Sequence, residues 1–387
     1  MAGEHSLLGP SSAHRWSRCV GSLLMGKGVD EGEKPEAASG TCTHYIAECM
    51  LNGDTVDVGA KLSFDGFDFV VDQERIDRAA EYVRRVNSEP GRLFVEQTLD
   101  LSEIYGRPGQ KGTADAVKLD SDSPQARSLG GILSVHDFKD GYNRVDAKDN
   151  LQGMLYLAGA LWRYDLVEDF DALRFVVHQP KINHFDEHSY SRSEIVNFVT
   201  LIRPVAQLAF DLYYGATTFD PAVHLSPGDE QCTYCPVRGS CPARARRIVQ
   251  MFEPLSQRLS LDNQTLADIV ARLDEIEQAC KDFRAEALKR ALNGRPIPGY
   301  KLVRGKKGDR KWVDPVTAAS ALAKLELGDR MYEPRELISP AVAQKLLKKR
   351  YDDVKGLVTQ SEGSLHLTTT DDKRDEYVIP TFEESLV

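Results

Sequence analysis

Apolar positions along the first half of the chain change rhythm from helical to alternating and back. Residues 39–53 carry Ile46, Cys49 and Met50 at helical spacing and close on Asn52-Gly53, which predicts a helix with a stop. Residues 73–89 read as a second helix, ended by Pro90-Gly91. Three strand-like runs follow at 92–101, 113–119 and 131–138, separated by Gly-, Pro-, Asp- and Ser-rich breaks. Residues 148–164 then carry Leu151, Met154, Leu155, Leu157, Ala158, Leu161 and Trp162, an apolar load too broad for a surface helix and suited to one packed on a sheet. A further strand at 173–179 and a helix at 192–214 complete the order α-α-β-β-β-α-β-α. That order predicts an α/β fold, a mixed central sheet flanked by helices.

Beyond residue 255 the texture changes. Residues 260–292 predict a long amphipathic helix with Leu266, Ile269, Val270, Leu273, Ile276 and Ala279 on one face, broken by the Gly- and Pro-containing stretch 294–299. A short strand at 300–304, small helices and a polar tail follow. The 387 residues exceed the size at which one core usually keeps growing, so a main domain over 1–255 and a C-terminal α+β extension over 256–387 are expected.

Composition narrows this little: 28% charged and 41% hydrophobic residues are ordinary for a globular protein. No uninterrupted apolar run approaches the roughly 18 residues of a membrane span, and the N-terminus lacks the layout of a signal peptide. A cytoplasmic protein without a membrane partner is expected. The formal charge of −10 argues against coating nucleic acid by bulk electrostatics, but not against a local basic groove. Basic residues cluster within 238–247, within 301–311, where Lys306 and Lys307 could extend a DNA path, and within 345–350.

The chemistry gathers in the strand region. Alternate residues of a strand share a face, so Asp137 and Lys139 would project together, and a second strand carrying Asp115 could place its carboxylate beside them. Two hard oxygen ligands beside a lysine suit a divalent metal and phosphodiester hydrolysis. Each residue alone has a plainer explanation: Asp115 as a turn residue, Asp137 and Lys139 as an ion pair, Glu96 as a salt-bridged edge residue, His44 as a satisfied helix residue. Gln152 and Tyr156 stand one helical turn apart, and both can hydrogen-bond a phosphate or a base.

In that order, Gly40-Thr-Cys-Thr-His44, Asp115, Asp137-Phe-Lys139 and Gln152-Gly-Met-Leu-Tyr156 resemble the RecB-like branch of the PD-(D/E)xK nuclease superfamily. The resemblance implies a restriction-endonuclease-like core in which Asp115 and Asp137 ligate one or two Mg²⁺ or Mn²⁺ ions, with His44 as a further ligand. It also implies that Lys139 orients or deprotonates the attacking water, that Gln152 and Tyr156 hold the nucleic-acid backbone, and that Glu96 matches an acidic position of some members.

Cys232-Thr-Tyr-Cys235-Pro-Val-Arg-Gly-Ser-Cys241-Pro is a dense C-x₂-C-x₅-C run in a chain expected to keep its thiols reduced, which points to a metal. A fourth ligand is missing locally. Cys19 or His224 could complete a zinc tetrahedron. The iron–sulfur-bearing RecB-like nucleases place one cysteine before the core and three after it, so the resemblance implies a [4Fe–4S] cluster on Cys19, Cys232, Cys235 and Cys241, stapling the ends of the domain. Cys42, Cys49 and Cys280 read as buried thiols on helices.

The opening Ser12-Ala-His-Arg-Trp16 with Cys19, and the later Lys301-Leu-Val-Arg-Gly305 with Arg310-Lys-Trp312, resemble an uncharacterised family common in phages and prophages. The resemblance implies a DNA exonuclease that processes ends or single strands in a bacterial host cell, with a single-strand annealing or other recombination protein as partner. The rival expectation is a catalytically silent DNA-binding or assembly module that keeps the nuclease fold. A nuclease of RNA ranks last, because no RNA-stacking module is recognisable.

Overall fold

Pro35 opens the first long helix, α1 (Pro35–Leu51), four residues ahead of the predicted start. Proline suits that place because the first helical N–H has no intrahelical partner. The computed structural model describes residues 6–378, except 30–31, 33, 166–168, 257–262, 306, 326, 328–330, 334–335 and 371. A hairpin absent from the sequence prediction follows, β1 (Lys61–Phe64) paired antiparallel to β2 (Phe67–Val70). Its signal was present: Asp65-Gly66 between alternating apolar residues is a two-residue turn sequence, and both residues take positive φ, 51° and 80°. Helix α2 (Gln73–Ser88) is capped by Asp72, whose side chain accepts from Arg75 N at 2.7 Å.

The five-stranded sheet runs β3 (Arg92–Asp100), β4 (Lys111–Asp120), β5 (Ile132–Phe138), β6 (Ala172–Gln179), β7 (His184–Ser191), in spatial order β3-β4-β5-β6-β7. All neighbours are antiparallel except β5 and β6, which helix α3 (Leu151–Tyr164) joins as a parallel crossover. The edge strand β7 escaped prediction because His184-Phe-Asp-Glu-His-Ser-Tyr-Ser offers few apolar residues. Only Tyr190 of the strand is buried. Helix α4 (Arg192–Tyr214) begins with a reciprocal Ser191/Glu194 capping box.

The sheet is covered on both sides. Leu155, Leu157 and Leu161 of α3 and Ile195, Val199 and Phe210 of α4 join Leu133, Val135, Leu173 and Phe175 in the main core. Cys42 and Ile46 of α1 and Ala79, Tyr82 and Val86 of α2 close over Ala116 and Phe138. Helix α4 is long and apolar enough to cross a membrane by length and composition alone, but here it is a core helix.

The chain divides into two compact units, Met1–Glu275 and Ile276–Val387. Helices α5 (Pro242–Ser256) and α6 (Asn263–Leu292) follow α4, and α6 runs through the boundary. Residues 260–262 of the predicted helix lie outside the described residues. Along its apolar face Leu266, Val270 and Leu273 are exposed, and Ala279 is buried. The second unit pairs β8 (Tyr300–Arg304) with Leu365–Thr369 and gathers Leu322, Ile338, Ala343, Leu347 and Tyr351 into a core of its own. Its basic stretch is engaged locally, Lys307 with Glu362 at 3.2 Å, Lys301 with the Asp372 carbonyl at 3.0 Å and Arg310 with Gln344 at 2.6 Å. Lys306 lies outside the described residues.

Helix α3 lies close on the sheet because Gly153 faces the buried ring of Phe175. A Cβ there would stand 2.4 Å from that ring. Gly153→Ala is expected to destabilise the first unit by about 1–3 kcal/mol through overpacking, seen as a lower urea midpoint at unchanged m value.

Candidate active site

Pairing between β4 and β5 ends at Ala116 opposite His136. One residue further along each strand stand Asp115 and Asp137, where the ladder opens. The opening is held by Phe138 N, which donates to Asp115 Oδ2 at 2.7 Å. On the other flank, β3 pairs with β4 at Val95–Ala116 and Gln97–Ala114, leaving out Glu96 and Asp115. Glu96 takes φ +48°, a left-handed conformation costly for a non-glycine residue inside a strand. Helix α1 adds His44, whose Nδ1 lies 3.5 Å from Asp115 Oδ1. His44, Glu48, Glu96 and Asp115 line one small cavity against Tyr82 and Phe138.

Lys139 Nζ lies 3.0 Å from Asp137 Oδ2 and donates to Gln152 Oε1 at 3.0 Å. Gln152 Nε2 in turn donates to Asp137 Oδ1 and to the Tyr156 hydroxyl, both at 3.3 Å. Gln152 can reach down because α3 starts just ahead of it, at an Asn150 cap that accepts from Gly153 N. The structure thus brings His44, Glu96, Asp115, Asp137, Lys139, Gln152 and Tyr156 to one end of the sheet. Sequence reading missed Glu48 and Tyr82. The first had a signal, one helical turn after His44; Tyr82 had none beyond an aromatic on a helix.

Burial works against the Asp115 carboxylate, but His44, the Phe138 N–H and Lys139 outweigh it and hold its pKa below the ordinary value. Asp137 moves up, through burial and then the neighbouring Asp115, against the pull of Lys139. Burial opposes the Lys139 ammonium, yet Asp137 and Asp115 more than compensate and raise its pKa, so Lys139 is a cation here rather than a free base. Glu96 is pushed up to about 7 by burial, then by Asp115 and Glu48. Asp137 Oδ2 is buried against the Lys139 ammonium at 3.0 Å, and the Tyr82 hydroxyl is buried without a hydrogen-bond partner. Asp115, Glu96 and Glu48 with Asp137 close by are clustered carboxylates of the type a hard divalent cation takes as ligands.

Behind the site runs a buried polar chain. His136 Nδ1 and His178 Nε2 are 3.0 Å apart, His136 Nε2 lies 3.4 Å from Glu89 Oε2, and the His178 carbonyl accepts from Lys139 N at 2.8 Å. A second group, unforeseen in the sequence, is Asp146, His184 and Asp186, whose ligand atoms all lie within 4.8 Å of one another and fit a divalent metal. Its members are already engaged: Asp186 Oδ2 accepts from Ala147 N at 2.7 Å and Asp146 Oδ1 from Arg144 Nε at 2.8 Å.

The cysteines of interest approach from both ends of the first unit. Cys19 and Cys241 share a small buried cluster with Leu225. Cys19 Sγ accepts from Ser226 N and Cys232 Sγ from Gly228 N, each at 3.4 Å. Burial raises the thiols of Cys19, Cys232 and Cys235, the last to about 11, and their mutual proximity adds to this. Gly21 N donates to the His224 carbonyl at 2.9 Å, and Arg15 Nη1 to the Tyr234 carbonyl at 3.2 Å, tying the N-terminal segment to the cysteine loop. The ring of His224 is used locally, its Nδ1 accepting from Asp220 N at 3.0 Å. Of the remaining cysteines Cys42 is buried as expected, but Cys49 is partly exposed and Cys280 is exposed, because each faces away from its helix's packed side.

The sequence matches, over residues 5–375, a family described as a protein of unknown function, DUF2800. The chain belongs to that family. The DUF2800 match runs through both compact units. Among solved structures, SSO0001 is 15% identical, with 63% of this chain and 90% of that chain covered and a TM-score of 0.29. A candidate exonuclease from Eubacterium rectale is 14% identical, with 68% and 92% covered and a TM-score of 0.31. Both overlaps are too loose to transfer an activity.

The buried histidines make a pH prediction. Burial lowers both His136 and His178, the latter to about 2. Below the unfolded value near 6.5 the unfolded chain takes up these protons more readily than the folded one, so stability present above pH 6.5 is lost as pH falls. For His178 the loss approaches about 1.4 kcal/mol per unit below 6.5, and His136 adds to it with the same sign. Urea midpoints at pH 7.5 and 5.5 check this, and His178→Gln should flatten the dependence.

Proposed function

We propose that this DUF2800 protein is a metal-dependent DNA nuclease that hydrolyses phosphodiester bonds at ends or in single strands. The observation that carries the reading is the Asp115–Asp137–Lys139–Gln152 constellation where β4 and β5 part, two carboxylates and an ammonium gathered at one opening of the sheet. Asp115, Asp137, Glu96 and His44 would hold Mg²⁺ or Mn²⁺, which when bound polarises a phosphoryl oxygen and acidifies water. Lys139, held as a cation by Asp137 and Asp115, would stabilise charge on the phosphate. Gln152 fixes that ammonium and, with Tyr156, offers hydrogen bonds to the strand.

The cysteine cluster belongs to the same reading as an internal staple. Cys19, Cys235 and Cys241 are buried, Cys232 is half-buried, and two of the sulfurs accept backbone N–H groups, which suits thiolate ligation. We favour a [4Fe–4S] cluster on Cys19, Cys232, Cys235 and Cys241 over zinc, because the resemblance calls for one cysteine before the core and three after it. A recombination setting with an annealing partner rests on the resemblance alone.

Asp137→Ala and Lys139→Met should each lower cleavage of end-labelled DNA in Mg²⁺ or Mn²⁺ by about 100-fold or more. Wild-type rates in either variant would remove the site. A folded wild-type chain that cuts no DNA would favour the silent module. Anaerobically purified protein should contain iron rather than zinc, and Cys19→Ser or Cys241→Ser should lose it together with stability.

A further inference from the structure

The N-terminal segment is built into the first unit as a wall. Leu8, Ala13 and Trp16 are buried in its main core, and Trp16 packs edge-on against Tyr105 at 5.5 Å. Ser6 Oγ donates to Gln110 Oε1 at 2.6 Å and accepts from Lys111 N at 3.2 Å, fixing the segment to the start of β4. Between this wall and the ends of β3 and β4 lies a cleft of about 1390 Å³. That exceeds the roughly 300–1,000 Å³ of a small-molecule site, leaving room for a length of polymer.

Three features describe its occupant. In a chain of formal charge −10, no Asp or Glu lines the cleft among the described residues, while Arg15 and Lys111 do, with the hydroxyls of Ser11 and Ser12. The Nε of Arg15 is buried without a hydrogen-bond partner. Asp100, the cross-strand partner of Lys111, is itself engaged with Ser102 N at 2.8 Å. Two aromatic rings join the lining: Tyr214, 54% exposed and backed by the Arg107 guanidinium at 4.1 Å, and Tyr156, only 7% exposed at the floor. The Tyr156 hydroxyl accepts from Gln152, which touches Asp137 and Lys139, so the floor of the cleft is the wall of the candidate active site.

Cations with neutral hydroxyls and stacking rings are the equipment for a single strand. We infer that this cleft holds single-stranded DNA and leads it to Asp115 and Asp137, with Arg15 and Lys111 on phosphates and Tyr214 under a base. The inference rests on the proposed nuclease reading for its choice of DNA. Arg15 also donates to the Tyr234 carbonyl, so the cysteine loop positions one of the two cations.

The test is fluorescence anisotropy of the full chain with fluorescein-labelled oligothymidylate in EDTA, titrated across salt. Wild type is expected to bind this strand more tightly than a duplex of equal length. Lys111→Gln and Arg15→Gln should each weaken binding about 5- to 10-fold and reduce the log–log salt slope by about 0.7. Tyr214→Ala should weaken it roughly 5- to 100-fold at unchanged slope. Because Arg15→Gln also unsettles the cysteine loop, the exposed Lys111 and Tyr214 decide. Wild-type affinity and slope in both Lys111→Gln and Tyr214→Ala, tighter binding of the duplex, or tighter binding of oligouridylate would overturn the inference. DNA cleavage by wild type with no effect of these variants sinks the cleft and leaves the nuclease reading standing. Binding through these residues without cleavage does the reverse.

Discussion

One hydrogen bond organises the end of the sheet where the candidate site lies. By accepting the N–H of Phe138, the carboxylate of Asp115 takes the place of a ladder carbonyl just past the last β4–β5 pair. The strands can then part without leaving a buried backbone donor unsatisfied. Parting aims Asp137 and Lys139 at α3, where Gln152 and Tyr156 wait, and exposes Asp115 to His44 on α1. Helices on opposite faces of the sheet therefore meet at one opening.

Local stability is spent at that opening. Glu96 sits in the left-handed region opposite Asp115, the Tyr82 hydroxyl is buried and unbonded, and carboxylates crowd around a single lysine and a histidine. Strain, orphaned polar atoms and like charges each cost free energy, and a fold tolerates them together where they serve a site. The polar chain from Glu89 through His136 to His178 lies directly behind and fixes Lys139 through its backbone.

Charge composition misleads when read as a whole. The basic stretch of the second unit is largely consumed by its own carboxylates and carbonyls, whereas two scattered cations, Arg15 and Lys111, stand together in a cleft without carboxylates. They are nearly a hundred residues apart in sequence. Segment 6–16 also links the two chemistries of the first unit, since Arg15 reaches from that cleft to the loop carrying Cys232 and Cys235.

Periodicity alone placed the long elements: α2 and α4 match their apolar spacing nearly residue for residue, and the β3–β4–β5 meander follows its breaks. The order of motifs likewise named Asp115, Asp137, Lys139, Gln152 and Tyr156, because strand alternation and helical repeat fix which neighbours share a face. The sequence was silent where partners are distant or signals weak. Strand β7 is polar because one edge faces solvent, Glu48 and Tyr82 join the site only through packing, and Asp146 meets His184 and Asp186 only across a loop. The opening of the ladder and the cleft beneath the N-terminal segment were decided by tertiary structure, because both depend on which strand stops pairing and which segment packs over it.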